Sequence, residues 1–220
     1  MKDLNQLLLK FDLKQNYKNE DFYVNKSNFF AFNLIDKWPR WEKNILNIYG
    51  EKYCGKTHLS NIFKKKYKAF KIRANEFNSN NLKEFKVFEN LILEDFDESV
   101  DENLMYTLFN IADQDNKFIL INSLIPINQL NFKLNDFKSR AKNCLFAKIE
   151  KPDDELIFAI LLKNFSDRQI TIEKKLIDFI IKHIDRSYGK IYEFIYKIDE
   201  ISLKKKKSID FKTIKETLKV

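Results

Sequence analysis

Short apolar runs separated by polar turns organise the first 150 residues of this chain. Residues 45–49, 69–72, 88–93, 118–121 and 145–149 each read as a short buried strand. Between them the apolar spacing switches to a helical period over residues 58–68 and 101–112. In the second of these, Leu104, Leu108 and Ile111 share one face. Residues 30–35 read as a further helix that ends before Trp38-Pro39-Arg40-Trp41, where Pro39 disfavours continuation. Strands without polar alternation that take turns with helices imply a parallel sheet covered on both faces. At Lys151-Pro152-Asp153-Asp154 the pattern changes, with a proline stop and then an acidic helix start. Beyond it the strands cease. Residues 154–165, 173–183, 187–203 and 210–218 read as four amphipathic helices, the last capped by Asp210. His183 has no carboxylate or second histidine in ligand spacing on its helix and reads as structural.

The turn after the first of these strands carries chemistry. Gly50-Glu51-Lys52-Tyr53-Cys54-Gly55-Lys56-Thr57 fits the phosphate-loop pattern G-x-x-x-x-G-K-[ST] at every fixed position. The chain has three glycines, and two of them are used here. At such frequencies a chance match is on the order of one in a thousand. Glycine lets the loop turn its N–H groups around phosphate oxygens without a Cβ in the way. Lys56 is placed to reach the β- and γ-phosphates of ATP or ADP, and the Thr57 hydroxyl to ligate Mg²⁺. His58 opens the following helix, whose N-terminus faces the anion. Residues 21–41, with Phe22, Val24 and Asn28, precede the loop's strand and are placed to cover an adenine; ordinary core packing is the other reading for most of the aromatic residues there.

Residues 88–93 run apolar into Glu94-Asp95, the Walker B pattern. One carboxylate holds the Mg²⁺ shell and the next orients the attacking water, which requires adjacent acids at a strand's C-terminal end. The run 118–121 ends at Asn122-Ser123, where a polar residue reaches between γ-phosphate and lytic water (the sensor 1 position). Arg140 stands out in a chain with 35 lysines and 5 arginines, because a guanidinium's planar fork suits a phosphate better than an ammonium does. The structural alternative for it is an ordinary salt bridge.

Composition adds less. The net charge of +8 points toward nucleic acid on its face. However, the lysine excess accompanies an excess of Asn, Ile and Phe, the imprint of an A/T-rich coding bias, so the charge is discounted. The runs 64–66 and 204–207 read as solvated helix ends. Cys54 and Cys144 show neither disulfide nor metal spacing. Acidic and basic residues interrupt the N-terminal apolar positions, so no signal peptide is expected, and no run is long enough to span a membrane. A soluble, cytoplasmic protein is the expectation. Its divisions are a tail at 1–20, an α/β nucleotide-binding domain at 21–150 and a helical domain at 151–220.

The tail holds Gln6-Leu7-Leu8-Leu9-Lys10-Phe11. In an extended peptide Leu7, Leu9 and Phe11 project to one side, with Gln6 as a polar anchor. This resembles the short peptide by which bacterial proteins bind the DNA polymerase sliding clamp. A strand covering the core is the other reading.

Taken together, these residues resemble the Hda family, DnaA-like AAA+ regulators, in its alphaproteobacterial form. The likeness is carried by residues 6–11, 20–24, Ser27-Asn28, 34–39, the phosphate loop, Leu93-Glu94-Asp95, 134–140, 152–155, 165–169 and 185–188. It implies an α/β P-loop AAA+ module with a small all-α lid. It also implies a DNA replication inhibitor that holds ADP, attaches to the DNA-loaded clamp (the beta subunit) through the tail and stimulates hydrolysis of ATP bound to DnaA. Arg140 matches the family's arginine finger. Partners implied are DnaA, the clamp, and DNA indirectly; no membrane is implied, and a homo-oligomer is left open. The register of the family's lid arginine falls on Gly189, and Asn122-Ser123-Leu124 replaces a Thr-x-Asp-like run. Its own ATP hydrolysis is therefore expected to be weak. The chain stops after the lid, without a helix-turn-helix, which favours a regulator over an initiator. The alternative is a self-sufficient AAA+ ATPase acting as a helicase loader or remodeller.

Overall fold

A computed structural model of the chain describes residues 22–205 and 209–219. Gln6, Leu7, Leu9 and Phe11 lie outside the described residues. Five strands are described: β1 (Ile45–Tyr49), β2 (Ala69–Arg73), β3 (Asn90–Phe96), β4 (Phe118–Ser123) and β5 (Leu145–Lys148). They form one sheet in the order β2-β3-β4-β1-β5. All four pairings are parallel. The strand that delivers the phosphate loop, β1, thus lies between β4 and β5.

Alternate residues of the apolar runs serve opposite faces. Leu91, Leu93, Ile119 and Ile121 pack with α3 (Ser79–Val87), α4 (Glu102–Gln114) and α5 (Asn135–Lys142). Leu46, Ile48, Ile92 and Leu120 pack with α1 (Phe29–Asp36) and α2 (Lys56–Tyr67). A residue buried on both sides of a sheet must be apolar at every position, which is why these strands read as continuous runs. The exception on β1 is Asn47, fully buried. Its Nδ2 donates to the Ile121 carbonyl at 3.2 Å and to Ser123 Oγ at 2.9 Å. Its Oδ1 accepts the Ile127 N–H at 3.0 Å, so one satisfied amide ties β1 to the turn after β4.

Two elements differ from the sequence expectation. The third strand begins at Asn90 rather than at residue 88 and continues through both acids to Phe96. Phe88 instead closes α3 and stacks on Phe70 at 5.7 Å. Helix α3 has no counterpart in the hydrophobic pattern of the sequence. It is started by a capping box between Asn78 and Asn81, and Phe85 is its buried residue, too little apolar periodicity to read.

Helices α6 (Asp154–Asp167), α7 (Lys174–His183), α8 (Tyr188–Lys205) and α9 (Phe211–Leu218) gather around a third core that includes Leu161, Phe165, Ile180 and Ile198. Asp153 and Asp210 cap α6 and α9 by accepting the Leu156 and Thr213 N–H groups. His183 Nδ1 lies 2.8 Å from the Phe179 carbonyl, within its own helix. Among the described residues, no helix is long and apolar enough to cross a membrane.

Candidate nucleotide-binding site

The loop between β1 and α2 has the backbone that its sequence demands. Gly50 has φ +155° and Gly55 φ +101°. A Cβ on Gly50 would lie 2.9 Å from the Ile149 carbonyl oxygen, and one on Gly55 would lie 3.1 Å from the Phe22 ring. Tyr53, between them, takes φ +69° without being glycine. Helix α2 starts at Lys56 with Gly55 as its N-cap, and its first turn has no acidic residue. Its exposed N–H groups and positive dipole end are therefore left to the loop, as an anion site requires. Lys56 Nζ arches back to the Gly50 carbonyl at 2.8 Å and the Glu51 carbonyl at 2.9 Å. Cys54 is buried beneath the loop, and burial pushes its thiol pKa up against the opposing pull of Lys56. Lys52 is exposed, with its ammonium 5.4 Å from the Tyr53 ring.

Residues 22–28 lie against this loop. The Phe22 ring meets His58 edge-on at 5.2 Å and stacks on Phe32 at 6.0 Å. Val24 is half-buried. Asn28 is buried, accepting the Asn25 N–H at 2.9 Å and donating to the Tyr23 carbonyl at 2.9 Å. Its amide is used within the segment, so it shapes the turn that carries Phe22 and Val24.

On the other side of the loop, Thr57, Glu94 and Asn122 converge. Glu94 Oε2 accepts Thr57 Oγ1 at 3.1 Å and Asn122 Nδ2 at 3.0 Å. Its Oε1 lies 2.7 Å from Lys71 Nζ, in a pair whose side chains are 17% and 8% exposed. Lys71 also donates to Asn61 Oδ1 at 2.7 Å. Burial works to raise the Glu94 pKa, but Lys71 and the hydrogen bonds from Asn122, Lys71 and Ser60 outweigh it and hold the carboxyl below its usual range. Asn122 Oδ1 is buried without a partner among the described residues, an acceptor in the place expected for sensor 1.

Sequence reasoning missed Lys71. The available signal was a lysine between Phe70 and Ile72 of a short strand, one strand away from the acidic pair. Asp95 does not join this group. It is exposed, at φ +53°, where the β3–β4 register shifts between Leu93 and Phe96.

Arg140 lies elsewhere, in the last turn of α5. It pairs with Asp113 of α4 at 2.5 Å, and the two side chains are 39% and 41% exposed. Gly189, in the register of the implied lid arginine, offers its N–H to Glu51 Oε1 at 3.4 Å. Nearby, Arg186 is tied to Asp154 at 2.9 Å and Lys190 to Glu193 at 3.1 Å.

A scan against protein-family models finds none that matches. Among curated proteins, the chain is 31% identical over 200 residues to the chromosomal replication initiator protein DnaA of Borrelia duttonii, covering 78% of this chain and 41% of that protein. It is 26% identical over 234 residues to DnaA of Treponema denticola, covering 94% of this chain and 50% of the relative. The chain thus spans about half or less of the length of these relatives. Among solved structures, domain III of the Thermotoga maritima replication initiation protein DnaA matches with TM-score 0.77 at 22% identity, over 95% of this chain and 98% of that one. AMPPCP-bound DnaA from Aquifex aeolicus matches with TM-score 0.68 at 20% identity, over 94% and 71%. The chain is an α/β protein with a parallel sheet and a small helical unit, similar in sequence to DnaA initiators and sharing the fold of domain III of DnaA.

Proposed function

We propose that this chain regulates the initiation of chromosome replication, acting as an inhibitor of re-initiation rather than as an initiator. It holds an adenine nucleotide, ADP, at residues 50–58 with Phe22 and Val24 over it. It attaches to the sliding clamp through Gln6, Leu7, Leu9 and Phe11, and so reaches DNA indirectly. It then offers Arg140 to ATP held by a DnaA partner. The observation that carries this reading is the state of Arg140. In a DnaA-like frame, its guanidinium is more than a third exposed and, among the described residues, held by one surface pair, with Asp113. Such a pair contributes only about 0–1 kcal/mol, so it yields readily to a phosphate. An arginine supplied in trans to a γ-phosphate accelerates hydrolysis by roughly 10³- to 10⁵-fold. The chain's own turnover is slow in this reading, because Gly189 supplies no guanidinium and Arg186 is occupied by Asp154.

The convergence of Thr57, Glu94 and Asn122 favours a second reading, a self-sufficient AAA+ ATPase that loads or remodels a helicase. Steady-state turnover of the isolated protein separates the two: little for the regulator, substantial for the motor. The direct test of the first is a pull-down with sliding clamp and with DnaA, in ADP and in ATP. Capture of both partners supports it, and capture of neither refutes it.

A further inference from the structure

Half-buried Lys71 pairs with buried Glu94 at the place where a phosphate-loop enzyme keeps its metal-binding acid. A carboxylate offers about four acceptor directions. At Glu94 a hydroxyl and an amide take two on Oε2, while Oε1 is buried without a hydrogen bond and faces the Lys71 ammonium in an ion pair. Its single negative charge is matched by the single positive charge of Lys71, which is itself fixed by Asn61. A divalent cation at this carboxylate would have to displace an ammonium 2.7 Å away or share the acid with it. Either course is costly, since like charges repel strongly where water is excluded. The second acid, Asp95, is exposed at φ +53° and outside the cluster. Among the described residues, no group of three or more acidic, histidine or cysteine side chains is arranged to hold a metal. The acid at this site therefore does not fit Mg²⁺.

We infer that Lys71 supplies to Glu94 the positive charge that a divalent cation supplies in metal-dependent phosphate-loop sites, so that this chain binds a nucleoside diphosphate without Mg²⁺. The inference rests on the nucleotide reading of residues 50–58. It gives a physical reason for weak hydrolysis: the γ-phosphate finds no protein-held cation, while the diphosphate is still gripped by the loop N–H groups and Lys56.

The test is a titration of the full chain with fluorescent methylanthraniloyl-ADP, in Mg²⁺ and in excess EDTA. The expected dissociation constants agree within about threefold. Weakening by about tenfold or more in EDTA overturns the inference and leaves the nucleotide reading intact. No binding in either medium overturns the nucleotide reading itself, and the inference with it. Lys71→Met, which frees Glu94, is expected to bind at least about tenfold more tightly in Mg²⁺ than in EDTA. A folded Lys71→Met protein indifferent to Mg²⁺ removes the role assigned to Lys71. If this variant does not fold, the comparison of the unaltered chain in the two media still decides.

Discussion

Glu51 of the phosphate loop accepts the backbone N–H of Tyr188, the first residue of α8, at 3.2 Å. The same carboxylate takes the Ser187 hydroxyl and, at 3.4 Å, the Gly189 N–H. No acidic residue lies in the first turn of α8 itself, so the loop supplies the anion that this helix end attracts. Tyr53 adds a parallel stack on Tyr192 at 4.1 Å. The helical unit is thus fastened to the loop by loop residues, in the region where the resemblance calls for a lid arginine. Glu51→Ala is expected to cost about 1 kcal/mol, the usual loss for a helix N-cap. It should also speed amide exchange over residues 188–191. Denaturant unfolding and hydrogen exchange check both, and unchanged exchange there refutes the fastening.

Gly55 and Gly189 make opposite predictions. Gly55→Ala puts a Cβ at φ +101° and against Phe22, so it should destabilise the protein by about 1–2 kcal/mol. At Gly189 a Cβ would meet only ordinary contacts, the nearest Glu51 Oε1 at 3.5 Å. Gly189→Ala, in a helix, should be neutral or stabilise by up to about 1 kcal/mol. Thermal or urea denaturation of the two variants distinguishes them.

Neither cysteine is expected to be reactive in the folded chain. Both are free and buried. Burial pushes Cys144 up to about 12 and raises Cys54 even against Lys56. The thiolate fraction is therefore small at neutral pH. An aromatic disulfide reagent should titrate no thiol in native protein and both in denaturant. Rapid native labelling of Cys54 contradicts the buried loop.

The helix that bears Arg140 is anchored by Glu102 of α4, which accepts the N–H groups of Lys133 at 2.9 Å and Leu134 at 2.6 Å. The hydrogen bonds from Leu134 and Lys133 hold this carboxyl below its ordinary value of 4.5. A depressed pKa means that the stabilisation is present above the ordinary value and is lost as pH falls through the folded one. Glu102→Ala should therefore lower the melting temperature near neutral pH. The gap from the unaltered chain should close as pH falls below about 4.5. A gap independent of pH refutes this role.

The strand–helix alternation was legible because parallel strands buried on both faces leave unbroken apolar runs, as in residues 118–121. The phosphate loop was legible because two glycines, Lys56 and Thr57 are fixed by local backbone chemistry. What escaped depends on distance in space. Lys71 and Glu94 are 23 positions apart and meet only because β2 and β3 are neighbours. Glu51 and Tyr188 lie on separate units, and nothing in the spacing of either announces the other. Helix α3 escaped for a local reason, the asparagines at 78, 80 and 81 and a weak apolar face concealing a capped start.

Asp113→Ala releases Arg140 from its ion pair with Asp113, so it should shift stability by less than about 1 kcal/mol and preserve activity toward DnaA. The decisive measurement is hydrolysis of DnaA-bound ATP in the presence of clamp and DNA, comparing the unaltered chain with Arg140→Ala. The account predicts acceleration by roughly 10³-fold with the first and none with the second, at equal affinity for ADP. Equal acceleration by both proteins would contradict it.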